Sequence, residues 1–322
     1  MDTSHKDLIE QLQTQLQPIE AQDTMAEAGR KALTVDFIKM LQNEEGTRSD
    51  DGVEAVHDMR VSTRRMRSTL RLLSAYYKPK AIKPYLDAMR GVAEALGNVR
   101  DLDVMLEEIT KFAKKLDDQA DLQPILDELQ AERAKACNGL EKVLDKRVYR
   151  EFVEDFSGFL SKPGKGAVPV DTEEIHPFQV RHLLPELIYE HLGAVRAYDN
   201  VLADADEPTL HALRIECKRL RYAVTIFSEV LGSSIKEFIE EVKGMQDHLG
   251  KLNDLHVAQE RLGSLAEKLD VEAQAETLAA LEGYIVHLKE EQDKLHDGVD
   301  DLWKHFNTKT VQRQLSNAVA AL

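Results

Sequence analysis

Residues 56–73 read VHDMRVSTRRMRSTLRLL, and at about 3.6 residues per helical turn this stretch resolves into two adjacent stripes. Val56, Met59, Thr63, Met66, Leu70 and Leu73 recur at the alternating three- and four-residue spacing of a core-facing seam. One position on, His57, Arg60, Arg64, Arg67 and Arg71 recur at the same spacing, with Arg65 beside them. The same object returns 154 residues later. There Leu210, Leu213, Cys217, Leu220, Val224 and Phe227 make the seam, and His211, Arg214, Lys218 and Arg221 make the row, with Arg219 as the basic neighbour. HxxRxxxRRxR has become HxxRxxxKRxR.

A second motif repeats in the same order. LGNVRDLDV begins at Leu96 and LGKLNDLHV at Leu249, an offset of 153. A period this long signals duplicated helical units rather than a short-repeat solenoid. The chain therefore reads as all-α, two equivalent helical bundles that would pack about a pseudo-twofold axis with the basic helices facing one another across it. Gly and Pro are sparse, and few segments alternate as a strand does. Residues 1–21 read as a flexible polar lead-in, 22–160 as the first helical repeat, 161–172 (SKPGKGAVPVDT) as a linker and 173–322 as the second repeat.

Finer expectations follow from local signals. Asp50 or Asp51 suits the cap of the first basic helix, and Pro79 and Pro84 end it and start the next. Gly97-Asn98 is expected to interrupt that next helix, and the copy to break similarly between helices at about 234–249 and 253–269. Pro177 suits an early turn, Pro185 a kink, and Pro208 the first turn of the second basic helix. One helix is expected over about 297–320, with Trp303 and Phe306 as core anchors.

No run of about 18 apolar residues exists, so no membrane span is expected. The opening MDTSHKDLIEQLQTQLQ lacks the basic start and apolar core of a signal peptide, which makes a cytoplasmic location the expectation. Two cysteines, Cys137 and Cys217, fit that compartment. The net charge of −16 argues against a generic nucleic-acid binder, but its distribution is uneven. Within 57–83, Arg60, Arg64, Arg65, Arg67, Arg71, Lys78, Lys80 and Lys83 stand against Asp58 alone; within 211–221, Arg214, Lys218, Arg219 and Arg221 stand against Glu216. An acidic shell around a basic locus points to an enclosed anion site.

Acidic partners four residues away are nearly absent from both rows, so their charges are not neutralised locally. Planar guanidinium groups suit bidentate phosphate contacts, and a row rising about 5 Å per turn matches a linear polyanion better than a single small anion. His57 and His211 open the rows as phosphate-facing donors. Asp101 and Asp254 recur in the second motif; either they cap the helices after Gly97 and Gly250, or they pair with the row arginines and orient them. No metal set emerges. Asp101-Leu102-Asp103 becomes Asp254-Leu255-His256, and His248 and His256 lie about 12 Å apart along a helix, too far for one ion. No cofactor is expected.

On VHDMRVSTRRMRSTLRLL, LGNVRDLDV, LHALRIECKRLRYAV and MQDHLGKLNDLHV, the chain resembles the CHAD family, the conserved-histidine α-helical domain. The resemblance implies two pseudo-symmetric four-helix-bundle-like halves around a basic central cavity that binds inorganic polyphosphate without catalysis. Family members are associated with polyphosphate granules, or are fused to a triphosphate-tunnel enzyme, of which this sequence shows no ExExK strand signature. By position the family's basic residues fall on His57, Arg60, Arg64, Arg65, Arg67, Arg100, His211, Arg214, Lys218, Arg219 and Arg221; Asn253 stands where the first half has Arg100, so the second half is expected to grip less tightly there.

Two other readings compete. An HD-type metal phosphohydrolase would use His57-Asp58, but the copy reads His211-Ala212. A binder of an acidic peptide or RNA would expose aromatic platforms, and the stripes carry only Tyr76, Tyr77 and Tyr222 at their margins.

Overall fold

The computed structural model describes residues 5–49, 52–114, 122–171, 173, 175–267, 269 and 274–322. The two seams build two helices of equal length, α3 (Val53–Leu72) and α8 (Glu207–Ile226). All twelve seam residues are buried, most of them completely, which is what a 3-4 spacing of large apolar groups demands. Cys217 is one of them; burial pushes its thiol up to about 12, the behaviour of a small core residue.

Neighbour order repeats between the halves. In the first, α2 (Met25–Thr47) packs on α3, α3 on α4 (Pro79–Ala113), and α4 on α5 (Gln123–Asp145). In the second, α7 (Val180–Arg196) packs on α8, α8 on α9 (Ile235–Ala266), and α9 on α10 (Ala275–Asp297). The halves meet along α3 and α8. The remaining helices brace these bundles: α1 (Lys6–Gln13) lies on α2, α6 (Arg147–Leu160) against α2, α4 and α5, and α11 (Val299–Phe306) and α12 (Lys309–Val319) against α9. Among the described residues there is no strand, only two isolated bridges, Thr24 to Gln179 and Tyr77 to Ala167.

One hydrophobic core runs from Leu12 to Ala318 through both halves. A second, smaller core joins the far ends of the two long hairpins, setting Leu102, Ile109 and Ile125 with Leu255, Leu262 and Tyr284. The halves therefore meet at α3/α8 and at the hairpin tips, besides the contact of α2 with α7 and the Thr24–Gln179 bridge.

Several local expectations are corrected. Gly97-Asn98 does not interrupt α4, and α9 likewise runs unbroken through Gly250. The apolar positions Met89, Val92, Leu96, Val99 and Leu102 keep their spacing across the glycine, and their burial outweighs the roughly 1 kcal/mol helix penalty of one Gly. Pro79 does start α4, but Pro84 lies inside it, and Pro185 lies inside α7. Each falls in the second turn, where only one backbone bond is forfeited. Pro177 precedes α7, whereas Pro208 occupies the first turn of α8 below the Asp206 cap. The expected single C-terminal helix is split, because Thr308 caps α12 and ends the run after Phe306. Trp303 and Phe306 are buried, and the indole donates to Asp199 at 2.8 Å.

The lead-in is not simply polar coil. It contains α1, Leu12 is fully buried, and the Ile19 amide donates to Glu229 of the second half at 3.1 Å. The glycine-rich stretch after α6 is tied back: the Lys78 amide donates to Gly166 and the Val168 amide to Tyr76. Gly164 and Gly166 take φ of +71° and +76°, a region that favours glycine. The proposed caps Asp50 and Asp51 lie outside the described residues.

Candidate functional site

Between the α3/α8 contact and the hairpin tips lies a cavity of about 910 Å³, walled by α3, α4, α8, α9 and α10. His57, Arg60, Arg64, Arg100 and Arg214 line one end, with Asp101, Asn253 and Asp254. The rest mixes apolar and aromatic side chains with the charged groups Glu108, Lys111, Lys251, Arg261 and Glu291, so the arginine rows do not line the cavity throughout.

The row on α3 and the row on α8 converge because the seam turns both helices' cores outward from the same contact. Lys218 feels Arg64, Arg214, Arg67 and Arg60; burial first, and then these four cations, hold its ammonium down at about 8. Burial also lowers Arg60, with Asp101 opposing and Arg64 and Arg100 adding to the shift. Arg67 is lowered by burial, then by Arg71 and Arg90. No described carboxylate forms an ion pair with Arg64, Arg67, Arg214 or Lys218. The Nε groups of Arg64, Arg67 and Arg214 are buried and meet no hydrogen-bond acceptor in the chain. A buried unsatisfied donor costs about 1–3 kcal/mol, and more when charged, so the empty site carries a standing penalty.

The second motif supplies the facing wall. Its glycines leave room for the arginine stems: a methyl on Gly97 would stand 3.9 Å from Arg60 Nε, and one on Gly250 3.7 Å from Arg214 Nε. Asp101 and Asp254 sit within α4 and α9 rather than at their caps. Asp101 approaches Arg60 at 3.5 Å, while burial first, and Asp254 also, raise its carboxyl against the pull of Arg60. Asn253, in the place of Arg100, accepts through its Oδ1 from His211 Nδ1 at 2.6 Å. The residue that departs from the first copy therefore orients a histidine of the row.

Not every row neighbour turns inward. Arg65 is bound to Asp36 of α2 at 3.0 Å, and Arg219 donates to Glu216 at 2.6 Å on the side of α7. The two occupy equivalent places in the repeat, each about 100° around its helix from the row and facing the preceding helix. Arg71 and Arg221 lie beyond the cavity, with Arg221 about 5.8 Å over the Tyr222 ring. Arg90 was missed, although the repeat register that pairs Leu96 with Leu249 also pairs Arg90 with Lys243. The aromatic end, with Phe112, Tyr284 and His287, was also missed; it joins α4 to α10, a pairing no local pattern announces. Among the described residues, no group of three His, Cys, Asp or Glu side chains is placed to hold a metal ion, and no helix is long and apolar enough to cross a membrane.

This architecture is similar to two solved structures. The crystal structure of the CHAD domain from the plant Ricinus communis superposes with a TM-score of 0.70 at 22% identity, covering 89% of this chain and 93% of that one. PptA from Streptomyces chartreusis gives 0.66 at 15% identity, covering 87% and 99%. No curated protein matches the sequence. The CHAD domain model matches residues 31–263, a span that holds both basic helices and both copies of the second motif, and the chain belongs to the CHAD domain family.

Proposed function

We propose that this protein binds inorganic polyphosphate, without catalysis, on the converging rows of α3 and α8. The observation that carries this reading is the set of buried, acceptorless Nε groups on Arg64, Arg67 and Arg214 beside a depressed Lys218. Phosphoryl oxygens satisfy such donors and neutralise the clustered cations together, whereas a single carboxylate serves only one fork. The row from His57 to Arg71 extends roughly 21 Å along α3, which suits a chain of repeated anionic groups. The overall net charge of −16 disfavours the wide surface of a duplex. Polyphosphate, free or in granules, is the partner this chemistry recognises.

Calorimetric titration with long-chain polyphosphate at low and high salt, with orthophosphate as control, tests the proposal. Polymer-selective, salt-sensitive binding is expected, and Arg64→Ala should weaken it and lower the salt slope by about one counterion. The unliganded variant should be no less stable than the parent. An unchanged slope, or no binding of the polymer, refutes the assignment.

A further inference from the structure

The cavity has two chemically different ends, and phosphate chemistry explains only one. Along α4, Arg100 and Phe112 are separated by about 18 Å of helix, and both border the same space. At the far end Phe112 packs on Tyr284, ring centres 4.3 Å apart at 30°, and on His287, 5.7 Å apart at 26°. Phe112 and His287 are only half-buried, and Val104 and Val257, equivalent in the repeat, are exposed at 40% and 50% along the same wall. A polyphosphate chain gains nothing from such surface. Glu108 and Glu291 border this end too, but each is paired with a lysine, Lys111 at 2.9 Å and Lys251 at 3.7 Å, so this end offers a continuing chain of phosphates little net positive charge.

We propose that the cavity prefers a polyphosphate capped by a planar nitrogenous base, a nucleoside polyphosphate, over an uncapped chain of similar charge. The phosphates lie on Arg60, Arg64 and Arg214, and the base lies against the Phe112 and His287 rings. Glu108 and Glu291 accept from the ring's exocyclic amine. An aliphatic cap would cover the same rings but strip water from the exposed Lys111–Glu108 and Lys251–Glu291 pairs without offering them a donor, which is why a lipid tail fits less well. This inference rests on the anion-site reading and adds to it the identity of the second group.

Competition calorimetry of ATP and tripolyphosphate on the same protein, without divalent cations, tests it. ATP should bind about tenfold more tightly, the scale of one base stacked on an aromatic ring. In Phe112→Leu, which keeps apolar bulk, and in His287→Ala, that ratio should collapse to about twofold or less. Equal affinities in the parent, or a ratio that survives both substitutions, overturn the proposal and leave the anion site standing. If neither compound binds, the anion-site reading falls with it.

Discussion

Lys218→Met is expected to stabilise the empty protein at neutral pH. Lys218 is held at about 8 instead of the ordinary 10.5, first by burial and then by Arg64, Arg214, Arg67 and Arg60. Keeping that ammonium charged costs on the order of 3 kcal/mol, which partial solvent exposure reduces to about 1–2 kcal/mol. The sign follows from proton counting. Between about 8 and 10.5 the unfolded chain retains a proton that the folded chain has released, so this group's contribution to stability rises with pH across that window. Below about 8 the penalty is present in full. Methionine keeps the aliphatic bulk and removes the charge, so the melting temperature at pH 7 and low salt should rise by roughly 2–4 °C. At pH 10 the advantage should vanish, because the parent's lysine is then largely neutral. Polyphosphate should reverse the order: the bound polyanion restores the proton, so the parent gains more from ligand than the variant, and its affinity weakens as pH rises above about 8. Melts at pH 7 and pH 10, each with and without polyphosphate, read all four values. A variant that is less stable than the parent at pH 7 without ligand would refute the idea that these cations are assembled against their own repulsion.

Substitutions at two further positions separate structural from site-forming groups. Arg65→Ala should lose about 2 kcal/mol of stability, because it strands Asp36, only 3% exposed, without its cation. Burial, with Arg65 opposing it, already raises the Asp36 carboxyl, so protonation relieves the defect and the loss should shrink at pH 5; a pH-independent loss in thermal melts contradicts this. Gly250→Ala, whose methyl meets Arg214 Nε at an ordinary 3.7 Å, should gain up to about 1 kcal/mol of helix stability and keep polyphosphate affinity. Gly250→Leu should displace the Arg214 stem and weaken binding by about tenfold with the fold intact, and equal affinity in calorimetry would show that the glycine does not shape the site.

The helices, their seams and the duplication were legible because each is a property of one segment read at its own period. The residues Met59, Met66, Leu213 and Leu220 could face only inward, and the sequence alone required a stripe of cations beside them. Continuity of α4 and α9 was not legible, since a glycine's local cost is decided by burial on both sides of it. Nor was the division of the basic residues. Arg64 and Arg65 are neighbours in the chain, yet one is left without an acceptor and the other is bound to Asp36, because α2 happens to lie on that flank. Asn253 looked like a lost arginine and became a partner of His211 only when α9 crossed α8. What the chain by itself determined is where charge and apolar surface fall around each helix. Which charges are neutralised, which are stranded, and that the arginine-lined end of the cavity continues into an aromatic one were decided by helix neighbours far apart in sequence, and electrostatic energies depend on those distances and not on spacing along the chain.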